Sequence, residues 1–161
     1  MSGQDWVARL GLEPHPEGGY FKRIYTSPLT HAAPHAQRPL ATSIYYLLTR
    51  EQPIGRLHRN RSDILHYFLD GGALEYLLLG TDGAMRRERL GGRDARFLLV
   101  PGGCWKASHL VDGASHALIA EVVSPGFDYA DHQFCAEADL RREHPQHLEA
   151  LRPFLRTLTS S

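Results

Sequence analysis

Cysteine is scarce in this chain: two in 161 residues, Cys104 and Cys135. They form neither a C-x-x-C pair nor the frame of a small secreted domain, so a reducing, cytoplasmic setting is expected. Excess charge of either sign is missing too, with 18 Lys plus Arg against 18 Asp plus Glu. No net field exists to hold a nucleic-acid backbone or an anionic membrane. The longest apolar runs, such as residues 44–48 and 97–100, fall far short of the roughly 20 residues that span a bilayer. The acidic start Met1-Ser2-Gly3-Gln4-Asp5 lacks the basic end and apolar stretch of a signal peptide, so no export is expected. No glycine-rich loop leads from a strand into a helix, because Gly71-Gly72 and Gly91-Gly92 fall between strand-like runs, which sets nucleotide hydrolysis aside. Nucleic-acid and membrane partners are therefore not expected.

The remaining composition, 42% hydrophobic and 22% charged, is that of an ordinary globular protein, and the length suits one domain over residues 1–161. Turn signals recur at Asp70-Gly71-Gly72, Asp82-Gly83, Gly91-Gly92, Pro101-Gly102-Gly103, Asp112-Gly113 and Pro125-Gly126. Their spacing of about ten residues, with apolar or β-branched runs between, belongs to an all-β sandwich or barrel. Strands are predicted over residues 20–26, 42–48, 54–58, 64–69, 73–79, 84–90, 95–100, 105–110 and 115–123. Helical signals sit at the ends. Ser2 with Asp5 three residues on reads as a cap, Trp6 and Leu10 share a face, and Gly11 stops the turn of a short lid helix. After Pro145, the series Leu148, Leu151, Leu155 and Leu158 predicts an apolar helical stripe packed on the outside of the barrel. Residues 27–39, with three prolines and no periodicity, read as a loop.

Several residues could carry chemistry. His58 and His66 lie on consecutive predicted strands, and His66 alternates with Ile64 and Phe68 on one face. Neutral imidazoles there serve as metal ligands or proton carriers, or simply as hydrogen-bonded structural histidines. Glu121 sits in the apolar run Ala117-Leu118-Ile119-Ala120-Glu121-Val122-Val123, where a carboxylate is costly unless paired. It reads either as a cavity-facing base or ligand, or as an edge residue facing solvent. Lys106 at a strand start is suited to an anionic substrate or a polarised carbonyl, and equally to solvent. Cys104 beside Gly103 and near Lys106 has the setting of an activated thiol, but a merely buried cysteine is the commoner outcome. Arg56, Arg59, Arg61 and Lys106 could gather an anion at a cavity mouth. His109, His116, His132, His144 and His147 share no spacing and receive no role.

Four stretches together carry a resemblance: His15-Pro16-Glu17-Gly18-Gly19-Tyr20-Phe21, His58-Arg59-Asn60-Arg61-Ser62-Asp63-Ile64-Leu65-His66, Val100-Pro101-Gly102-Gly103-Cys104-Trp105-Lys106, and Pro125-Gly126-Phe127-Asp128-Tyr129-Ala130-Asp131-His132. They resemble the uncharacterised single-domain cupins, typified by a small yeast member, over about residues 10–134. The resemblance implies a double-stranded β-helix, the jelly-roll barrel, with a ligand or metal inside. It also implies a homodimer to which the first strands contribute. Sugar-nucleotide epimerases share this barrel and use a histidine base without metal. Metal-binding cupins carry a first motif, G-x5-H-x-H followed by Glu, and a second, P-x-G-x-x-H. Here His58 matches the first histidine, but Asn60 stands at the second, Leu65 with His66 beside it at the Glu, and Lys106 at the last histidine.

Lysine in a metal-ligand position disfavours a divalent cation, so no cofactor is expected; if a divalent transition metal binds, His58, His66 and Glu121 would hold it. The leading expectation is a small-molecule-binding cupin acting as a metal-independent isomerase or epimerase on a carbohydrate-like or keto-acid substrate. His58 or His66 would remove a proton, Lys106 would stabilise the enolate oxygen and a tyrosine, Tyr45 or Tyr20, would return the proton. Tyr20, Arg59, Phe68, Trp105 and Glu121 would complete the substrate site. The alternatives are a metal-dependent oxygenase or lyase, and a binding module that captures a small ligand without turning it over.

Overall fold

The computed structural model describes residues 1–32 and 36–156. Thirteen strands occur among them: β1 (Glu13–Pro14), β2 (Tyr20–Thr26), β3 (Thr30–Ala32), β4 (Gln37–Pro39), β5 (Thr42–Thr49), β6 (Ile54–Asn60), β7 (Asp63–Gly71), β8 (Leu74–Leu79), β9 (Met85–Leu90), β10 (Phe97–Val100), β11 (Trp105–Leu110), β12 (His116–Ser124) and β13 (His132–Phe134). A six-stranded sheet has the order β1-β2-β5-β12-β7-β10, and a five-stranded sheet the order β13-β6-β11-β8-β9, antiparallel throughout. Their inner faces share a core that includes Tyr46, Leu48, Leu74, Tyr76, Leu78, Val100 and Ile119. This is the all-β barrel expected from the turn rhythm and the jelly roll that the resemblance implies.

Each sheet's outer face is covered separately. α1 (Gly3–Leu10) starts at a capping box, in which Ser2 accepts from the Asp5 amide, and ends at Gly11 in the left-handed region, φ 64°. Its Trp6, Val7 and Leu10 pack with Leu12, Leu47 and Leu118 on the six-stranded sheet. The expected lid is thus a sheet cover, away from the barrel opening. Asp70 anchors it, accepting from Trp6 Nε1 at 2.8 Å and pairing with His116 Nε2 at 2.9 Å. At the other end, α2 (Glu137–Glu143) and α3 (Leu148–Leu151) lay Leu140, Leu148, Leu151 and Leu155 over Leu57, Leu77, Leu79 and Trp105. Leu158 lies outside the described residues. The stripe was legible in the sequence; α2 was not, because only Leu140 of its seven residues is buried.

One further expectation is corrected. The segment read as a loop contains the β3–β4 hairpin, paired Thr30 with Pro39 and Ala32 with Gln37. Its residues are mostly exposed, so no apolar alternation marks it.

Two irregularities shape the barrel interior. The β11–β6 register shifts so that Lys106 opposes His58 while Ser108 opposes Gly55. This bulge in β6 aims His58 inward and leaves Leu57 in the outer cluster, the re-aiming that bulges produce near barrel rims. A second shift lies in β2 between Arg23 and Tyr25, after which pairing with β5 resumes at Tyr25–Ser43 and Thr26–Thr42.

Candidate functional site

A cavity of about 320 Å³ opens at one end of the barrel, lined by His15, Glu17, Phe21, Arg23, Thr42, Ile44, His58, Asn60, Ile64, Glu121, Val123, Phe127 and Tyr129. Glu17 comes from the turn between β1 and β2. Gly18 and Gly19 hold φ values of 99° and 74°, and a Cβ on Gly18 would collide with the Ile54 carbonyl oxygen. Glycine there lets the chain press against β6 and deliver Glu17 into the barrel, where it is 8% exposed.

The Glu17 carboxylate is the hub. Its Oε2 lies 2.8 Å from His58 Nε2 and 3.1 Å from His132 Nε2. β13 pairs with β6 so that His132 opposes Asn60 and Phe134 opposes His58, and the two histidine rings stack with centroids 5.2 Å apart. The His58 Nδ1–H donates to the Arg56 carbonyl at 2.6 Å, which turns Nε2 toward the carboxylate. Burial alone would raise the Glu17 carboxyl, but the adjoining imidazoles hold it well below the usual carboxylate range. His15 accepts from the Glu17 amide through Nδ1 at 3.0 Å, so its proton sits on Nε2, and burial keeps this ring neutral.

A second cluster lies under the cavity floor. Glu121 and His66 are cross-strand partners of β12 and β7, and Lys106 reaches them from the opposite sheet. Lys106 Nζ lies 2.8 Å from His66 Nε2 and 3.5 Å from Glu121 Oε1. The His66 Nδ1–H donates to the Leu98 carbonyl at 3.1 Å, leaving Nε2 as the acceptor for Lys106. Burial and the Lys106 charge push the His66 pKa down to about 3, so the ring is neutral and its 3.5 Å approach to Glu121 is no ion pair. Burial raises the Glu121 carboxyl, but the Lys106 charge together with the neighbouring imidazoles brings the group below its ordinary value. Two buried polar atoms find no hydrogen-bond partner among the described residues, Asn60 Oδ1 and Tyr76 Oη.

The structure thus divides the residues singled out in the sequence. His58 and Glu121 line the cavity; His66 and Lys106 meet beneath it. Because Lys106 occupies the His66 Nε2 lone pair, the set His58, His66 and Glu121 is not a metal site. Among the described residues, the histidine, cysteine and carboxylate donors that converge are Glu17, His58 and His132. Tyr20 and Tyr45 pack with Leu47 and Leu118 under α1, on the outward face. Trp105 faces the C-terminal cover, with the Arg59 guanidinium 4.3 Å above its ring and Gln133 accepting from Arg59. Phe68 packs against the barrel core, under Arg96 at 4.9 Å and outside the cavity lining. Arg56 donates to the Pro153 carbonyl and Lys106 is buried with His66 and Glu121, so the four cations share no one site; Arg59 and Arg61 border a separate pocket with Asp131 and His132. Burial raises the Cys104 thiol, against a nucleophilic role. Glu17 and His132 were missed as site residues; both stand in stretches quoted for the resemblance, which was the signal available.

The comparisons agree with this architecture. Residues 4–135 match the family described as Cupin superfamily (DUF985). The chain belongs to that family. This cupin is 37% identical over 153 residues to an uncharacterized protein of Saccharomyces cerevisiae, covering 84% of this chain and 74% of the yeast protein. A hypothetical protein from Leishmania major superposes with a TM-score of 0.91 at 30% identity, over 98% of this chain and 100% of that one. A Shewanella oneidensis protein gives 0.86 at 29%, over 97% and 98%. Cupin membership accounts for the barrel and its cavity. No helix among the described residues is long and apolar enough to cross a membrane.

Proposed function

We propose that this cupin is an enzyme acting on a small molecule in the barrel cavity with the aid of a divalent first-row transition ion held by Glu17, His58 and His132. One observation carries the reading: two imidazole Nε2 atoms converge on one carboxylate oxygen, at 2.8 and 3.1 Å. Lone-pair donors crowd together only around something positive, either shared protons or a cation. Two histidines and a carboxylate beside an open cavity form a donor set that suits Fe, Zn, Mn or Co. The His58 Nδ1–H bond to a backbone carbonyl is the outer-shell contact that ligating histidines make. The lysine at the position of the last motif histidine of metal-binding cupins is no obstacle, since Lys106 is engaged with Glu121 and His66.

A bound ion would supply Lewis-acid polarisation of a substrate oxygen. Glu121, ionised and lining the same cavity, is the group to accept a proton from carbon next to that oxygen. Lys106 keeps it charged, and His66 fixes Lys106. In this reading His66 positions rather than reacts, because both ring nitrogens are engaged.

A metal-independent isomerase is the second reading, favoured by the 2.8 Å contact between His58 and Glu17, which also fits an imidazolium–carboxylate pair. Elemental analysis of untagged protein purified without chelators separates the two. About one transition ion per chain, lost in His132→Ala, supports the first. No ion before or after reconstitution with Mn, Fe, Zn or Co overturns it in favour of the second. We also read the chain as one cupin domain that forms a homodimer, a state supported by the exposed Ile24, Tyr25, Leu29 and Leu40 on β2 and around the β3–β4 hairpin.

A further inference from the structure

We infer that the ligand of this cavity is a small monocarboxylic acid with an apolar body, its carboxylate held by Arg23 at the rim. The inference deepens the proposed function and rests on it only in taking this cavity as the working site.

Size comes first. A volume of about 320 Å³ lies at the lower end of the roughly 300–1,000 Å³ of small-molecule pockets, which favours a compact ligand over a nucleotide sugar. The walls come second. Phe21, Ile44, Ile64, Val123 and Phe127 all border the space. A molecule with a hydroxyl on every carbon would leave several of them unpaired against these side chains, at about 1–3 kcal/mol each. An apolar or ring-shaped body meets no such penalty.

Charge sets the direction. The carboxylates bordering the cavity are Glu17 and Glu121, and Lys106 is already paired with Glu121. Lys106 is thus not free to bind a ligand carboxylate. Among the described residues lining the cavity, Arg23 is the only lysine or arginine. It alternates with Phe21 along β2 and stands just before the register shift between Arg23 and Tyr25. Its Nη1 donates to Thr26 Oγ1 at 3.2 Å, which limits its wandering and leaves other guanidinium N–H groups for the ligand. A planar guanidinium fork matches a carboxylate bidentately.

A compact probe with an apolar body and one carboxylate is 4-hydroxyphenylacetate. Its comparators are 2-(4-hydroxyphenyl)ethanol, without the carboxylate, and glucuronate, without the apolar body. Titration calorimetry on the protein, with metal content measured on the same sample, is expected to rank 4-hydroxyphenylacetate about tenfold or more above both, a difference of ~1.4 kcal/mol. Arg23→Gln should erase its advantage over the alcohol while leaving the alcohol's affinity unchanged. Arg23 is exposed, so that variant should fold, which its melting curve checks. Glucuronate binding as tightly as the aryl acid, no detectable binding of any probe, or an Arg23→Gln loss equal for acid and alcohol would each overturn the inference. Metal-free protein that still ranks the probes as expected refutes the metal reading and leaves this one standing.

Discussion

Replacing Lys106 by methionine tests the buried charge cluster directly. Lys106 is 4% exposed and Glu121 9%, with 3.5 Å between Nζ and Oε1. Removing the ammonium strands a buried carboxylate and leaves His66 Nε2 without its donor, and breaking a buried pair from one side typically costs about 3–5 kcal/mol. In a chain of this length each kcal/mol moves the melting temperature by roughly 2–4 °C, so Lys106→Met should melt about 10 °C lower. Adding Glu121→Gln removes the stranded charge, and the double variant should recover to within about 2 kcal/mol of wild type, since neutral replacements of buried pairs are well tolerated. Urea unfolding of wild type, both single variants and the double variant gives the coupling, expected at about 2 kcal/mol or more. The series belongs in chelator, so that ion binding to the folded state does not add to stability. Additive effects, or a Lys106→Met cost below about 1 kcal/mol, would mean that the ammonium is solvated and the cluster does not hold Glu121 ionised.

Two further outcomes follow from the same geometry. His66 titrates near 3 in the folded chain against about 6.5 when free. The unfolded chain therefore takes up the proton first, and this contribution to stability is complete above about pH 7 and shrinks as pH falls toward 3, by up to ~1.4 kcal/mol per unit. Denaturant titrations at pH 7 and 4.5 should show a steeper loss in wild type than in His66→Gln, and equal slopes would refute the assignment. Burial raises both thiols, Cys135 to about 11. Native protein at pH 8 should therefore resist iodoacetamide and take two labels only when unfolded; rapid labelling of Cys104 would restore it as a candidate nucleophile.

The barrel was legible because its turns are chemical. Asp-Gly and Gly-Gly pairs end strands wherever they occur, and the predicted ranges 20–26 and 105–110 coincide with β2 and β11. Inward faces were harder. In β5 the run Ile44-Tyr45-Tyr46-Leu47-Leu48 is apolar on both sides, because α1 covers one face and the core the other. Nothing in the pattern says that Tyr46 points in and Tyr45 out. In β11, Trp105 looks like a cavity wall, yet α2 and α3 give it an outside partner. The site was least legible because its members meet only in three dimensions. Glu17 needs the glycine turn that presses it on Ile54, His58 needs a bulge, and His132 sits on a strand too short for any periodicity.

β13 contributes three residues at the edge of its sheet, the kind of element that opens at low free energy. Its His132 meets Glu17 across 115 positions of sequence. Whatever occupies that meeting point therefore ties the early turn to a late, weakly held strand. Amide exchange at residues 15–19 and 132–134 should slow together when the centre is filled, so that occupancy is written into the breathing of two distant stretches of backbone.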